Sequence, residues 1–251
     1  MKPAATTTIK EHIINFAKDK YYFHINDLKQ YLAGERIDFK NDTLKKNLYR
    51  LKQQDTLYDA GRGWYSNIKE KFELETGPVK EVVQQMNQKF PLLEYRCWST
   101  EQIKTFFHHL PSKFVIFVYA DEDSLSSLKD FLVVKDYNVF LNPLKGEIGK
   151  YVELKERTMI LRPVISYRDP KIQPVTEIEK ILIDLFMEAK EMNLMDMEEY
   201  KRIFFNIIAY FRLNVAMMLD YAHNRKVKSR IEKIISEVLS PPRRHIDVMS
   251  Q

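Results

Sequence analysis

Apolar residues along the first part of the chain recur at two spacings, one typical of amphipathic helices and one typical of short strands. A helix with one apolar stripe is predicted after Thr8, and the strand-like run YYFHI follows it. Asn26 is predicted to cap a second helix, DLKQYLA, which Gly34 ends. Asn41 or Asp42 is predicted to cap a third helix, in which leucines repeat at the i, i+4, i+7 spacing. The third helix therefore has one narrow buried face, and its other positions are polar or charged.

Two short strands, TLYDA and GWYS, are predicted after this third helix, which Asp55 ends. Gly61 and Gly63 lie between the strands and supply the backbone torsions that a tight turn needs. The order helix, strand, helix, helix, hairpin is that of a winged helix-turn-helix. The sequence therefore predicts such a module over residues 1–72.

A polar segment of mixed charge, residues 67–78, is predicted to link this module to a second domain over residues 79–251. In the second domain KFVIFVYA is a continuous apolar run of buried-strand length. The runs LLEYRCW, NVFLN and TMILR are also strand-like. A helix is predicted before the first strand and another, SLSSLKDFLVV, after the long one.

The C-terminal half of the second domain has the pattern of helices throughout. Before that half begins, Ser99 and Gln102 are predicted to form a capping box for a helix through TFFHHL. From Val175 onward every element is predicted to be helical, including one uninterrupted helix from Met197 to Ala222. The predicted fold class is therefore α/β (α+β): a winged helix-turn-helix followed by a larger α/β domain with a helical C-terminal half.

The positive charge of the chain is concentrated in its N-terminal part. Residues 1–72 contain 14 Lys and Arg against 9 Asp and Glu, whereas residues 73–251 contain 26 of each. Charge confined to one module indicates a polyanionic partner, with chance unevenness as the alternative.

The third helix is predicted to enter the major groove of double-stranded DNA, where base edges carry a distinguishable code. Asn47 is suited to paired hydrogen bonds with adenine, and Arg50 or Lys46 to guanine. The alternatives are that the basic face is only solvated, or that the winged helix docks a protein. The predicted DNA-binding residues are Thr43, Lys45, Lys46, Asn47 and Arg50 on the helix and Arg62 at the tip of the wing.

Candidate catalytic chemistry is sparse. The sequence has no Gly-rich phosphate loop, and with one cysteine it has no CxxC zinc motif. His108 and His109 are predicted to lie on a helix and to point about 100° apart, so they cannot share a metal ion. We therefore expect no catalytic, metal-binding or cofactor-binding residues. The alternative is a divergent metal-dependent nucleotidyltransferase in which Asp121 and Asp123 of ADED, after the long strand, hold metal ions.

Compartment and membrane contact follow from two further features. The single cysteine fits a reducing cytoplasm. The most apolar long stretch, IFFNIIAYFRLNVAMML, is interrupted by Asn206, Arg212 and Asn214, which favours a buried helix over a membrane span. A cytoplasmic protein without membrane contact is expected.

The chain resembles the AbiEi-like antitoxins of type IV toxin–antitoxin systems, bacterial proteins with an N-terminal winged helix and a C-terminal antitoxin domain. The resemblance rests on DAGRGWYS, on the order of elements, and on PVTEIEKILIDLF. In the last motif the matching positions are Thr176, Glu179, Lys180, Leu182 and Asp184. Membership would imply a repressor of its own operon that also counteracts a nucleotidyltransferase-like toxin encoded beside it.

A purely structural interpretation of PVTEIEKILIDLF is also available. Thr176 and Glu179 have the spacing of a capping box, and the isoleucines and leucines that follow form one helical stripe. The motif therefore predicts a capped amphipathic helix whatever the function.

Overall fold

The structure, a computed structural model, describes residues 8–144, 147, 153–164, 174–192 and 194–239. These residues form two compact units. The first unit contains the described residues up to Lys71, the segment Ile208–Asp220, and the described residues from Val227 onward. The second unit contains Phe72–Ile207 and Tyr221–Lys226.

The units differ from the predicted domains 1–72 and 79–251 in the C-terminal part of the chain. Two segments assigned to the second domain belong to the first unit. The Tyr22 hydroxyl shows why, because it donates to the Phe211 carbonyl at 2.7 Å and accepts from the Leu213 N–H at 2.9 Å. These contacts join residues that lie about 190 positions apart, and no local pattern reveals them.

Three helices form the core of the first unit: α1 (Ile9–Ala17), α2 (Ile25–Gly34) and α3 (Asn41–Gln53). Their apolar stripes meet in one cluster, in which the side chains of Leu28, Leu44 and Leu48 are at most 1% exposed. The capping box that begins α1 is formed by Thr8 and Glu11.

Two predicted helix caps were wrong. His24, and not Asn26, caps α2, because its ring Nδ1 accepts the Asn26 N–H at 3.2 Å. Lys40 occupies the cap position of α3 and makes no side-chain capping bond, so Asn41 is already inside the helix.

A three-stranded antiparallel sheet completes this module: β1 (Tyr22–His24), β2 (Tyr58–Asp59) and β3 (Trp64–Ser66), in the order β1-β3-β2. Gly61 and Gly63 form the turn of the hairpin with φ of 99° and 78°, a region that favours glycine. The predicted winged helix-turn-helix is thereby confirmed.

The second unit is built on a four-stranded sheet of order β4-β5-β7-β6. Its strands are β4 (Tyr95–Ser99), β5 (Val115–Ala120), β6 (Asn138–Leu141) and β7 (Thr158–Pro163). β4 is antiparallel to β5, whereas β5, β7 and β6 run parallel. The long apolar run of β5 therefore lies in the interior of the sheet, as its pattern indicates.

Three helices accompany the strands of this unit: α4 (Gly77–Lys89), α5 (Leu125–Val134) and α6 (Ile178–Met192). Pro78 lies in the first turn of α4, where its missing N–H is not needed, so the predicted linker ends sooner than expected. Ser99 and Gln102 form the predicted capping box, but the element that they begin is a 3-10 helix, Thr100–Phe106.

The last part of the chain contains α7 (Met197–Tyr210), α8 (Val215–Asn224) and α9 (Lys228–Leu239). The predicted uninterrupted helix from Met197 to Ala222 was wrong. It breaks between α7 and α8, where the Tyr22 hydroxyl binds backbone groups and the Asn214 side chain accepts the Met217 N–H at 3.0 Å. Within the described part of the chain, no helix has both the length and the apolarity to cross a membrane.

Candidate nucleic-acid interface

The solvent-facing side of α3 carries most of the predicted DNA-binding residues. Thr43, Lys45, Lys46 and Arg50 are exposed, while the three leucines of the helix lie in the core. The buried leucine stripe holds these side chains outward because residues on a helix keep a fixed angular relation.

Asn47 is placed less favourably than predicted. Its side chain is half-buried, and its amide nitrogen donates to the carbonyl of Thr43 at 2.9 Å on the same helix. Paired hydrogen bonds to a base would require this bond to open. The side chains of Lys46 and Arg50, which are exposed, are therefore more accessible than that of Asn47.

The basic residues of this surface have no acidic partners in the described part of the chain. Among the residues that the structure describes, none of Lys45, Lys46, Arg50 and Arg62 forms an ion pair with Asp or Glu. Over the whole sequence, the first unit has 20 Lys and Arg against 13 Asp and Glu, and the second has 20 against 22. The surplus of positive charge in the first unit is larger than the predicted domain boundaries indicate.

The wing, formed by β2, β3 and their turn, is partly covered. A Cβ atom on Gly61 would overlap Asn214 Oδ1 and lie 2.6 Å from Ala216 Cβ. The Ala216 N–H donates to the Ala60 carbonyl at 3.4 Å. The start of α8 thus packs on the turn, but the Arg62 side chain stays exposed.

Arg212 is a basic residue that sequence reasoning did not include in this surface. Its guanidinium lies 4.6 Å from the centre of the Tyr58 ring, a cation–π contact on strand β2 of the wing. The backbone N–H of Arg212 donates to the Glu70 carbonyl at 2.6 Å. No local signal could have found it, because its neighbours in the sequence are apolar and only the fold brings it to the wing.

Tyr49 is the second residue that the prediction missed. Its side chain is 60% exposed in the middle of α3, between the buried Leu48 and the exposed Arg50. Its position outside the leucine stripe was a signal available in the sequence. A large aromatic side chain now lies among the cations of this surface.

The two acidic residues of the alternative enzyme site lie at the carboxyl end of β5. The carbonyl of Asp121 accepts the Ser124 N–H at 3.0 Å, which begins a 3-10 turn, and Asp123 is exposed. In the described ranges, no three His, Cys, Asp or Glu side chains are arranged to hold a metal ion.

The predicted geometry of the histidine pair was wrong. His108 and His109 come after the 3-10 helix, which ends at Phe106, so the angular rule for helices does not apply. The Nδ1 atom of His108 lies 3.0 Å from the Nε2 atom of His109. Both side chains are exposed.

The second unit contains a buried polar network that the sequence analysis did not identify. The strand register places Arg96 on β4 beside Tyr119 on β5, and Tyr119 beside Arg162 on β7. Asp184 and Glu188, one turn apart on α6, supply the acidic groups. Two acidic residues at the i, i+4 spacing within an apolar helix were the signal available in the sequence.

Asp184 is the centre of this network and is fully buried. Its Oδ1 atom accepts the Tyr221 hydroxyl at 2.7 Å and lies 3.2 Å from Arg225 Nη1, and its Oδ2 atom lies 3.7 Å from Arg96 Nη1. Burial raises the pKa of Tyr221, and the Asp184 carboxylate raises it further. Burial alone would lower the pKa of Arg225, but Asp184, together with Tyr119, Tyr221 and Glu188, outweighs it and keeps that pKa above its usual value.

Glu188 binds Arg162, which lies beside Tyr119 on the opposite side from Arg96. Two of the arginine nitrogens lie 3.1 Å and 2.8 Å from the carboxylate oxygens, a bidentate arrangement. The remaining nitrogen of Arg162 donates to Asn142 Oδ1 at 3.0 Å and to the Pro143 carbonyl at 2.7 Å. These buried arginines are therefore engaged within the fold.

The capping box predicted for α6 is not formed as expected. The Thr176 Oγ1 atom is buried and has no hydrogen-bond partner in the part of the chain that the structure describes. The N–H groups of Lys180 and Ile181 donate to the Glu177 carbonyl, both at 3.0 Å, so the helix begins one residue later than a Thr176 cap requires. The amphipathic helix itself is confirmed over Ile178–Met192.

The fold and the exposed basic helix define a protein of the winged helix-turn-helix class with an additional α/β unit. The chain belongs to a family of unknown function (DUF6577), whose model matches residues 43–241. The match includes nearly all of α3, the wing and the described residues of the second unit. No curated protein matches the chain.

Proposed function

We propose that the chain is a DNA-binding transcriptional regulator, a repressor of its own promoter, and that its first unit contacts double-stranded DNA. The observation that carries the proposal is the exposed face of α3, where Lys45, Lys46 and Arg50 have no acidic partner among the described residues. Cations without partners add little to folding stability but release counterions when they neutralise phosphates.

In this proposal α3 lies in the major groove, which is wide enough to admit a helix. Lys46 and Arg50 face the base edges, where either can bind guanine O6 and N7. Arg62 and Lys45 contact phosphates, which fix the register without reading sequence. Because the start of α8 covers the turn of the wing, the wing contributes a side chain and not an inserted backbone loop.

The test is an equilibrium binding titration with the full chain, because the first unit includes C-terminal segments that a fragment 1–72 would lack. The probe is a fluorescent duplex from the region upstream of its own coding sequence, measured at several salt concentrations. We expect affinity to fall steeply as salt rises. An affinity for this duplex that does not change with salt would contradict the proposal.

A matched pair of variants makes the test specific to α3. Lys46→Ala with Arg50→Ala removes two exposed charges from the proposed interface. Lys80→Ala with Lys89→Ala removes two exposed charges from α4 in the second unit. Only the first pair should weaken DNA binding strongly. Equal losses from both pairs would show that net charge alone, and not this helix, determines binding.

The resemblance to AbiEi-like antitoxins supports a second part of the proposal, an antitoxin activity directed at a nucleotidyltransferase-like toxin. The test is co-expression of the full chain with a toxin-like protein encoded beside it. A chain carrying Lys46→Ala and Arg50→Ala should lose repression but still protect the cells. Loss of protection in this variant would indicate that any antitoxic effect is transcriptional.

A further inference from the structure

An aromatic side chain in the middle of α3 is largely exposed to solvent. Tyr49 is 60% exposed, and no hydrogen bond or aromatic contact of its side chain exists within the described ranges. It lies one turn from Lys45 and Lys46 on the same helix, at the i, i+4 and i, i+3 spacings. A large apolar ring on a helix surface gains its burial only from a partner.

The neighbours of Tyr49 determine what kind of partner can cover the ring. Lys45 and Lys46 lie one turn before it on the same helix and Arg50 directly follows it, and all three are exposed, so an apolar protein surface covering the ring would have to bury cations without acidic partners. A duplex supplies a phosphate for Lys45 and the guanine acceptors O6 and N7 for Lys46 and Arg50. Within the major groove the most apolar group is the C5-methyl of thymine.

We propose that Tyr49 reads a thymine in the DNA site through contact of its ring with the C5-methyl group. The inference rests on the proposed function, because it requires α3 to lie in the major groove. Lys46 and Arg50 carry donors that match guanine, whereas the tyrosine ring has no pair of donors or acceptors for a base edge. Tyr49 therefore adds a thymine preference that charged residues cannot supply.

The experiment begins with selection of duplexes from a random-sequence pool by the full chain. Each thymine of the selected duplex is then replaced by deoxyuridine, which removes the methyl group and leaves the base-pairing edge unchanged. At one position the affinity should fall about fourfold, the effect of withdrawing one buried methyl-sized group. Elsewhere the replacement should have little effect.

Variants at position 49 connect that methyl group to the ring. Tyr49→Ala should bind the thymine and deoxyuridine duplexes equally, and Tyr49→Phe should keep the preference because it retains the ring. Thermal unfolding of both variants should match that of the original chain, since the side chain is exposed. Retention of the preference in Tyr49→Ala, or its loss in Tyr49→Phe, would overturn the inference.

Two further outcomes separate this inference from the proposed function. If the chain binds duplexes but enriches no sequence, or if no deoxyuridine replacement weakens binding, the inference about Tyr49 is overturned while DNA binding stands. If the chain binds no duplex at low salt, the proposed function itself is overturned.

Discussion

Lys46 and Arg50 in the first unit and Arg96 and Arg225 in the second unit carry the same charge in opposite surroundings. The first two are exposed on α3 without acidic partners among the described residues. The other two are at most 8% exposed, and both lie beside the carboxylate of Asp184. Position in the fold, and not residue type, separates these two sets.

The difference shows how basic residues can be divided between structure and binding. A buried charge is tolerated only when a partner compensates the loss of hydration, so Arg96 and Arg225 belong to the fold. An exposed charge keeps its hydration and needs no partner in the folded chain. The exposed set on α3 is therefore available to an external polyanion, while the charges of the buried set are compensated within the second unit.

The largest expected effect comes from removing the shared carboxylate. Asp184→Asn should lower the free energy of unfolding by about 3–5 kcal/mol, because Arg96 and Arg225 would remain buried without a counter-charge. Urea denaturation followed by circular dichroism measures the change, with the exposed Asp130→Asn as the control. A change no larger than that of the control would remove the distinction between the two sets.

Arg50→Ala should weaken DNA binding while leaving the free energy of unfolding nearly unchanged. We expect a loss of about 1–3 kcal/mol in binding to the selected duplex and little loss on unrelated duplexes. The free energy of unfolding should stay within about 0.5 kcal/mol, since the residue is exposed. Asn47→Ala should weaken binding less, because its amide is already bonded to Thr43. An equal loss for Arg50→Ala on every sequence would show that Arg50 contacts phosphate.

Arg62→Ala and Arg212→Ala should each weaken binding to all duplexes alike. If both residues contact a phosphate, each variant should reduce the slope of log affinity against log salt by about 0.9. Lys89→Ala in the second unit is the control and should leave the slope unchanged. Arg212 is the more informative of the two, because an unchanged slope with lower stability would place it with the structural arginines.

The smallest effect is expected for the acidic pair after β5. Asp121→Asn with Asp123→Asn should leave the chain folded and its DNA binding unchanged, with at most about 1 kcal/mol lost for each. The same chain should be assayed for metal-dependent nucleotide turnover. Turnover by the original chain that disappears in the folded double variant would favour the nucleotidyltransferase alternative.

The residues of α3 could be predicted because their pattern is local. Three leucines at helical spacing define the buried side, and the same spacing assigns Lys45, Lys46 and Arg50 to the outside. The turn of the wing could be predicted for the same kind of reason, since Gly61 and Gly63 are needed at positive φ. Tyr49 was not predicted, because only charged and polar hydrogen-bonding residues of α3 were assigned to the interface and no aromatic residue was.

The amino-acid sequence alone determined the order of the helices and strands, the winged helix-turn-helix and the uneven charge, because each depends on residues close together in the chain. Only the tertiary structure decided that α7 and α8 are separate and that Arg212 lies at the wing. It also decided that Asp184 meets Arg96 and Arg225. These features depend on contacts between residues that are distant in the sequence, such as Tyr22 with Phe211. No local sequence pattern indicates which distant residues make such contacts.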